Sequence, residues 1–313
     1  MGTDAPSTAI AGDLAASAVG RRPTEVRRFT TGSHHYVFEA MFEDRPAVVV
    51  RIAAEHSRSA MAGALRLSRL LRPQGVPLPE IIAEGLNHQF PHLVLERLSG
   101  TDLGNVIRSL SDSSLEAIAT KVARAQRVTA TTASSGRYGY GAASTNAPHD
   151  KWSQVLQDNL ARSRRRIAAG LFDLDAVDKV AAMIAAACAE LDSLPPIPFL
   201  HDTTTKNVIA TTAGAFSGIV DVDDLCFGDP RYVVALTLAS LTVSGGPVQY
   251  IDAWMNYANY RSDRIFRLYV ALFIVDFMSE HGQVFNGNLL PSSTDDRNHL
   301  LRVFAQCLRL AAP

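Results

Sequence analysis

The chain has 313 residues, 47% of them hydrophobic and 19% charged, which excludes a disordered or low-complexity polymer and is long enough for two lobes rather than one core. Thirty basic against 31 acidic residues leave a formal net charge of −1, without the basic excess of a nucleic-acid-binding surface. The local RSRRR run at 162–166 reads as a solvated helix face. Cys188, Cys226 and Cys307 are too few and too scattered for a disulfide framework or a zinc site. No apolar run reaches the ~18 residues needed to span a bilayer. The first 22 residues lack the basic start and apolar core of a secretion signal, and Ser7 falls out of place for a myristoylation pattern. A cytoplasmic, reducing setting is expected.

Residues 1 to about 22 read as a loose start with a short helix. VRRFTTGSHHYVFEAMF, from Val26, has a strand–turn–strand pattern, and RPAVVVRIA adds a strand through its β-branched run at Val48, Val49 and Val50. The segment from Ala54 to Gly75 is a helix ended by Pro73 and Gly75. EIIAEG and PHLVLERLSG supply two more strands. The pattern predicts a mostly antiparallel sheet of about five strands carrying one helix.

After Gly100 apolar residues recur at helical spacing as far as Ala130, with a break between Ser111 and Leu115. GRYGYGAASTNAPHD is read as loop. Lys151 to Leu194 is helical around a break near Gly170, and prolines at 195, 196 and 198 end it. NVIAT and FSGIVDV form a hairpin about Thr212-Ala213-Gly214, and most of the chain from Tyr232 onward is helical. The fold class expected is α+β, with an N-terminal sheet lobe (1–98) and a larger helical lobe (99–313), and a ligand cleft between them.

Chemistry concentrates in FLHDTTTKNVIATTAGAFSGIVDVDDLCFGDP, residues 199–230. With the hairpin turn near Ala213 and Gly214, Asn207 and Asp221 fall within about one residue of directly opposite, on strands roughly 4.8 Å apart. One carboxylate and one amide oxygen at an open loop suit Mg²⁺, which fills its remaining positions with water and phosphate. Asp202 on the adjoining loop is placed to accept or orient the proton of a substrate hydroxyl, as phosphoryl transfer requires. Asp223, on the same face as Asp221 by strand alternation, is a weaker second candidate ligand. His201 reads as a structural histidine bonded to loop backbone, His34 and His35 as exposed turn residues, and Asp229 before Pro230 as a helix cap. Asp252, Asp276 and Glu280 read as helix surface charges. No G-x-S-x-G elbow or Ser–His–Asp order points to a hydrolase.

Asp-x4-Asn followed by strand, turn, strand and Asp resembles the aminoglycoside phosphotransferase and choline kinase family, relatives of the protein kinases. GIVDVDDLCFGDPRYVVA, VVVRIA, QGVPLPEIIAEG and HLVLERLSGTDL resemble that family's further segments in the expected order, over roughly residues 25–245. The resemblance implies a protein-kinase-like bilobal fold and an ATP- or GTP- and Mg²⁺-dependent transfer to a hydroxyl of a small molecule, an aminoglycoside-like antibiotic or a metabolite. It implies Asp202 as catalytic carboxylate and Asn207 and Asp221 as metal ligands. Arg51 would contact the nucleotide phosphates, Gly32 and Ser33 would sit in the loop over them, and Glu96 to Leu98 would form the hinge that holds the base. The sequence departs from the family pattern in four places. His201 directly precedes Asp202, Arg51 replaces a lysine, and TTTK replaces the usual loop residues. The helix beyond Arg51 carries no acid between Glu55 and Glu80, its matching position being close to Ala64, so Arg51 must be held by another group, Asp221 or ligand. These departures keep open an alternative, a kinase-like protein that binds nucleotide or a small ligand without transferring phosphate.

Overall fold

The computed structural model of the chain describes residues 5–29, 35–54, 57–167, 170–285 and 288–311. Helix α1 (Thr8–Val19) starts where the Ser7 hydroxyl accepts the Ile10 N–H and ends at Gly20 in the left-handed region. Strands β1 (Glu25–Arg28), β2 (His35–Met41) and β3 (Val48–Ala53) follow, then α2 (Arg58–Leu71), β4 (Ile81–Gly85) and β5 (His92–Glu96). They form one antiparallel sheet in the order β1-β2-β3-β5-β4.

The alternation along β3 explains the layering. Val48, Val50 and Ile52 face α1 and are buried with Ala11, Leu14, Ala15, Phe38 and Val94. The other face turns Arg51 and Ala53 the opposite way, and there Ala53 and Leu93 pack against Met61, Ala64 and Leu65 of α2. The sheet thus carries two helices, one per face, where the sequence predicted one.

The second part begins with β6 (Thr101–Asp102), α3 (Leu103–Val106) and α4 (Asp112–Thr129), the last starting at a Ser111 cap inside the expected break. Strand β7 (Gly139–Gly141) lies in the segment read as loop. It is followed by α5 (Trp152–Arg166), α6 (Asp175–Leu191), β8 (Ile197–Phe199), β9 (Val208–Ala210), β10 (Phe216–Ile219) and β11 (Leu225–Gly228). The remainder is α7 (Arg231–Ser244), α8 (Gln249–Ala258), α9 (Arg264–Glu280), a short hairpin of β12 (Val284–Phe285) and β13 (Asn288–Leu289), and α10 (Thr294–Ala311). Strands β9 and β10 make the expected hairpin, to which β6 adds a third strand. Strands β7, β11 and β8 make another small sheet that pattern reading missed, since each has only three or four residues.

Helix α9 forms the centre of the helical part, with Phe266, Tyr269, Phe273 and Val275 all buried against neighbouring helices. Gly228 is held there by sterics: a Cβ on it would lie 2.2 Å from the Trp152 ring. Trp152 Nε1 donates to Tyr269 Oη, which donates to Asp229 Oδ2. The same carboxylate accepts the Arg231 N–H at the start of α7, the expected cap. Among the described residues no helix is long and apolar enough to cross a membrane.

Glu39 on β2 ties the sheet to the segment beyond it. It is buried, and it accepts from Arg27 Nε at 2.6 Å and Arg97 Nε at 2.7 Å, while Arg97 also donates to the carbonyls of Leu98 and Gly100. Burial alone would raise the Glu39 carboxyl; the two guanidiniums outweigh it and hold it below the usual carboxylate range. The pair therefore stabilises the fold fully above the unfolded value of ~4.3 and less as pH falls through the lowered folded value. Glu39→Gln is expected to cost about 2 kcal/mol at pH 7, below the 3–5 kcal/mol of a fully buried pair because Arg27 is half in solvent. The deficit shrinks toward pH 3 in denaturant unfolding; a deficit independent of pH would refute the ionic origin.

Candidate functional site

The hairpin brings Asn207 and Asp221 near one another by register. The Val220 N–H donates to the Asn207 carbonyl at 2.9 Å, so Asn207 stands opposite Val220 and one residue from Asp221. Strand β10 ends at Ile219, earlier than expected. Asp221 lies two residues beyond it at φ 63°, in the left-handed region. For a residue with a Cβ this costs about 1–2 kcal/mol, so something must hold it there.

Arg51 on β3 is what meets it. Its guanidinium, 7% exposed, donates from Nη2 to Asp221 Oδ1 at 2.5 Å and to Asp223 Oδ2 at 2.8 Å, and its Nη1 lies 2.6 Å from Asp223 Oδ1. The arginine expected to find a substitute for the missing helix acid finds two. His35, read as an exposed turn residue, is instead buried at the start of β2 with Nε2 2.8 Å from Asp223 Oδ2. Burial would raise the Asp223 carboxyl, but Arg51 and His35 together hold it well below the usual range. Gly32, Ser33 and His34 lie outside the described residues.

Asp202 and Asp221 line one cleft, with Leu200, His201, Thr203, Val222 and Asp224. Burial pushes the Asp202 carboxyl up, and Asp221 adds to the rise; His201, the Thr204 hydroxyl and Lys206 oppose it without cancelling it. His201 differs from expectation in its partner, since Nε2 meets the Asp224 Oδ1 carboxylate at 2.5 Å rather than backbone. Burial works to lower its pKa; Asp224, then Asp202 and Asp221, hold it above the ordinary value.

Two acids converging on a cleft create a demand for positive charge, and the donor set suits Mg²⁺. Asn207 Nδ2 donates to the Asp202 carbonyl at 2.9 Å, which fixes the amide; Oδ1 is the atom that would meet a cation. The Asp221 carboxylate is about half exposed. One carboxylate and one amide oxygen are few ligands, as Mg²⁺ prefers. Among the described residues no group of three or more His, Cys, Asp or Glu forms a ready-made metal cage. Any cation at Asp221 competes with Arg51 for it.

Glu96 ends β5, exchanging its N–H with the Glu80 carbonyl and its carboxylate with the Glu80 N–H. Leu98 lies against Gly218 of β10. Asp276 is no surface charge: it accepts from Ser163 Oγ at 2.7 Å and Arg162 Nη2 at 3.2 Å. The half-buried Glu280 carboxyl nearby is pushed up by burial and then by Asp276.

Sequence reasoning missed the residue that shapes the Asp202 loop. Gln126 on α4 accepts the Leu200 N–H at 2.9 Å and donates to the Leu200 carbonyl and to Thr203 Oγ1. Thr203, Thr204 and Thr205 are all buried, so the three threonines of TTTK fold inward, while Lys206 is exposed. The signal was a polar residue on the apolar stripe of α4, at the spacing of Leu115, Ile118, Val122 and Thr129. Gln126→Leu orphans both backbone groups of Leu200 and is expected to cost about 3 kcal/mol. Denaturant unfolding checks it, and an unchanged midpoint would show that the loop is held by other contacts.

Solved structures share this fold over nearly their whole length. Aminoglycoside phosphotransferase APH(4)-Ia superposes with a TM-score of 0.69 at 14% identity, covering 98% of this chain and 100% of that one. A thermostable mutant of APH(4)-Ia in ternary complex with ADP and hygromycin B gives 0.64 at 18% identity, covering 96% and 99%. A GDP complex of an aminoglycoside 2'-phosphotransferase mutant gives 0.67 at 14% identity, covering 97% and 96%. No curated protein matches by sequence. The α+β architecture is thus the protein-kinase-like bilobal one of the aminoglycoside phosphotransferases. The model of the phosphotransferase enzyme family matches residues 25–266, well over half the chain, and the chain belongs to that family.

Proposed function

We propose that the chain transfers the γ-phosphoryl group of ATP or GTP to a hydroxyl of a small molecule, an aminoglycoside-like antibiotic or a metabolite, with Mg²⁺ as cofactor. The observation that carries this reading is the convergence of Asp202 and Asp221 on one cleft, with the Arg51 guanidinium on Asp221. Family membership and relatives solved with ADP and GDP support it.

In this reading residues 1–98 hold the nucleotide and residues 99–313 the acceptor. The backbone from Glu96 to Leu98 meets the base, and Gly32 and Ser33 approach the phosphates. Arg51 binds phosphate oxygens; its charge persists at any working pH and its fork suits paired oxygens. Asn207 and Asp221 hold Mg²⁺, which neutralises charge building on the transferred group. Asp202 orients the acceptor hydroxyl and takes its proton as the oxygen attacks. Gln126 and the inward threonines hold that carboxylate at a fixed place, the kind of positioning that matters most where little covalent chemistry is asked of the protein. Three free cysteines support a cytoplasmic setting.

Asp202→Ala is expected to lower kcat by about 10²–10⁴-fold, the usual worth of a general base. Nucleotide binding should persist, seen as a thermal shift with Mg·ATP equivalent to about 2.7 kcal/mol at 100 times the dissociation constant. The acceptor would be found by a nucleotide-consumption screen over hydroxylated metabolites and aminoglycosides. Undiminished turnover in Asp202→Ala would sink the mechanism. Nucleotide binding without turnover on any acceptor would favour the ligand-binding alternative.

A further inference from the structure

Kinase-like chemistry needs the phosphate-binding cation held rigidly, and α2 supplies no acid for the purpose. Its side of the sheet has a cleft instead, lined by Arg51, Ala64 and Ser68 together with Leu93, Leu95 and Asp221. The helix is shaped for another anchor. A Cβ on Gly63 would lie 2.3 Å from the Asp223 carbonyl oxygen, so only glycine lets the loop after β10 come this close to α2. That approach delivers the Asp223 carboxylate to Arg51, where both guanidinium Nη atoms lie within 2.8 Å of it. His35 holds the same carboxylate from β2. Side-chain exposure separates the two acids on Arg51: Asp223 is 23% exposed and Asp221 48%.

We infer that Asp223 is a positioning residue that anchors Arg51 from the loop after β10, in place of the acid α2 lacks. Asp221 and Asp223 then have different duties although both touch Arg51. Asp221, the more exposed of the two, is the one that would be free to turn from Arg51 to a cation. Asp223, fixed by His35 and seated against Gly63, stays on Arg51 and keeps its fork aimed at phosphate.

The inference rests on the phosphotransfer reading for its purpose, so one measurement is made without nucleotide. Slowly exchanging Arg51 guanidinium resonances, assigned by their loss in Arg51→Lys, are followed by NMR in the free protein. They should persist in Asp221→Asn and vanish in Asp223→Asn. Persistence in both variants, or loss in Asp221→Asn alone, would overturn the assignment.

With nucleotide, Asp223→Asn should raise the nucleotide KM at least tenfold with a smaller change in kcat. Adding Ala64→Glu, which returns an acid to α2 on the Arg51 cleft, should recover at least a third of that loss. An unchanged KM overturns the inference. So does a raised Mg²⁺ requirement at unaltered nucleotide affinity, which would make Asp223 a cation ligand. If the unaltered protein shows no nucleotide-induced thermal shift, the phosphotransfer reading fails while the resonances still decide what holds Arg51.

Discussion

Arg51 is a guanidinium that cannot shed its proton, placed on the inner face of a sheet where solvent reaches 7% of its side chain. An unpaired charge in such a place costs several kcal/mol. A left-handed φ at Asp221 costs about 1–2 kcal/mol. The larger quantity decides the geometry: the chain after β10 leaves its strand early and twists through Asp221 so that two carboxylates reach the one cation. Asp221 adopts φ 63° where its carboxylate meets Arg51. The strain lies at one of the two acids that meet Arg51.

The same contact joins the two parts of the molecule. Arg51 belongs to the five-stranded sheet, and Asp221 and Asp223 follow the hairpin embedded among helices. His35 on the same sheet adds its contact with Asp223, and backbone and hydroxyl bonds lie nearby. The Ile219 N–H reaches the Pro77 carbonyl, and Ser217 Oγ reaches the Ser99 carbonyl. Those bonds fix the hairpin beside the connector and hinge segments but carry no net charge, so they are indifferent to a bound phosphate. The ion pairs are not. A phosphate or divalent cation entering the cleft competes directly for Arg51 or Asp221, and ligand binding acts on the contact that orients one part against the other.

The sequence disclosed the elements with strong periodicity or strong turns. The β3 run, the hairpin about Gly214 and the long helices α4, α6 and α9 all carry their pattern in eight or more residues including the flanking turns. The placement of Asn207 beside Asp221 was legible because hairpin register converts a count along the chain into a distance across it. Strands β7, β8 and β11 were not legible: none exceeds four residues, and their pairing joins residues up to 88 apart, Gly139 with Phe227. His35 was misjudged for a related reason. Beside a glycine turn it reads as exposed, and its burial follows from Asp223, 188 residues away. Gln126 was visible as an anomaly on an apolar stripe, but its role needed the Leu200 loop to be seen against it.

Arginine in place of lysine and a helix without its acid looked like separate departures from the family pattern. Geometry makes them one arrangement. A lysine presents a single point of charge on a flexible stem, and one acid on a neighbouring helix suffices to aim it. An arginine presents a planar fork that can hold one carboxylate with both Nη atoms and share one of them with a second acid, which is how Arg51 meets Asp223 and Asp221. An additional acid from α2 would crowd a fork already engaged, and any side chain at Gly63 would push away the loop that carries Asp223. The charges that meet Arg51 come from the loop after β10 instead of the helix, so Arg51 and Asp221 are positioned by the same short stretch of chain.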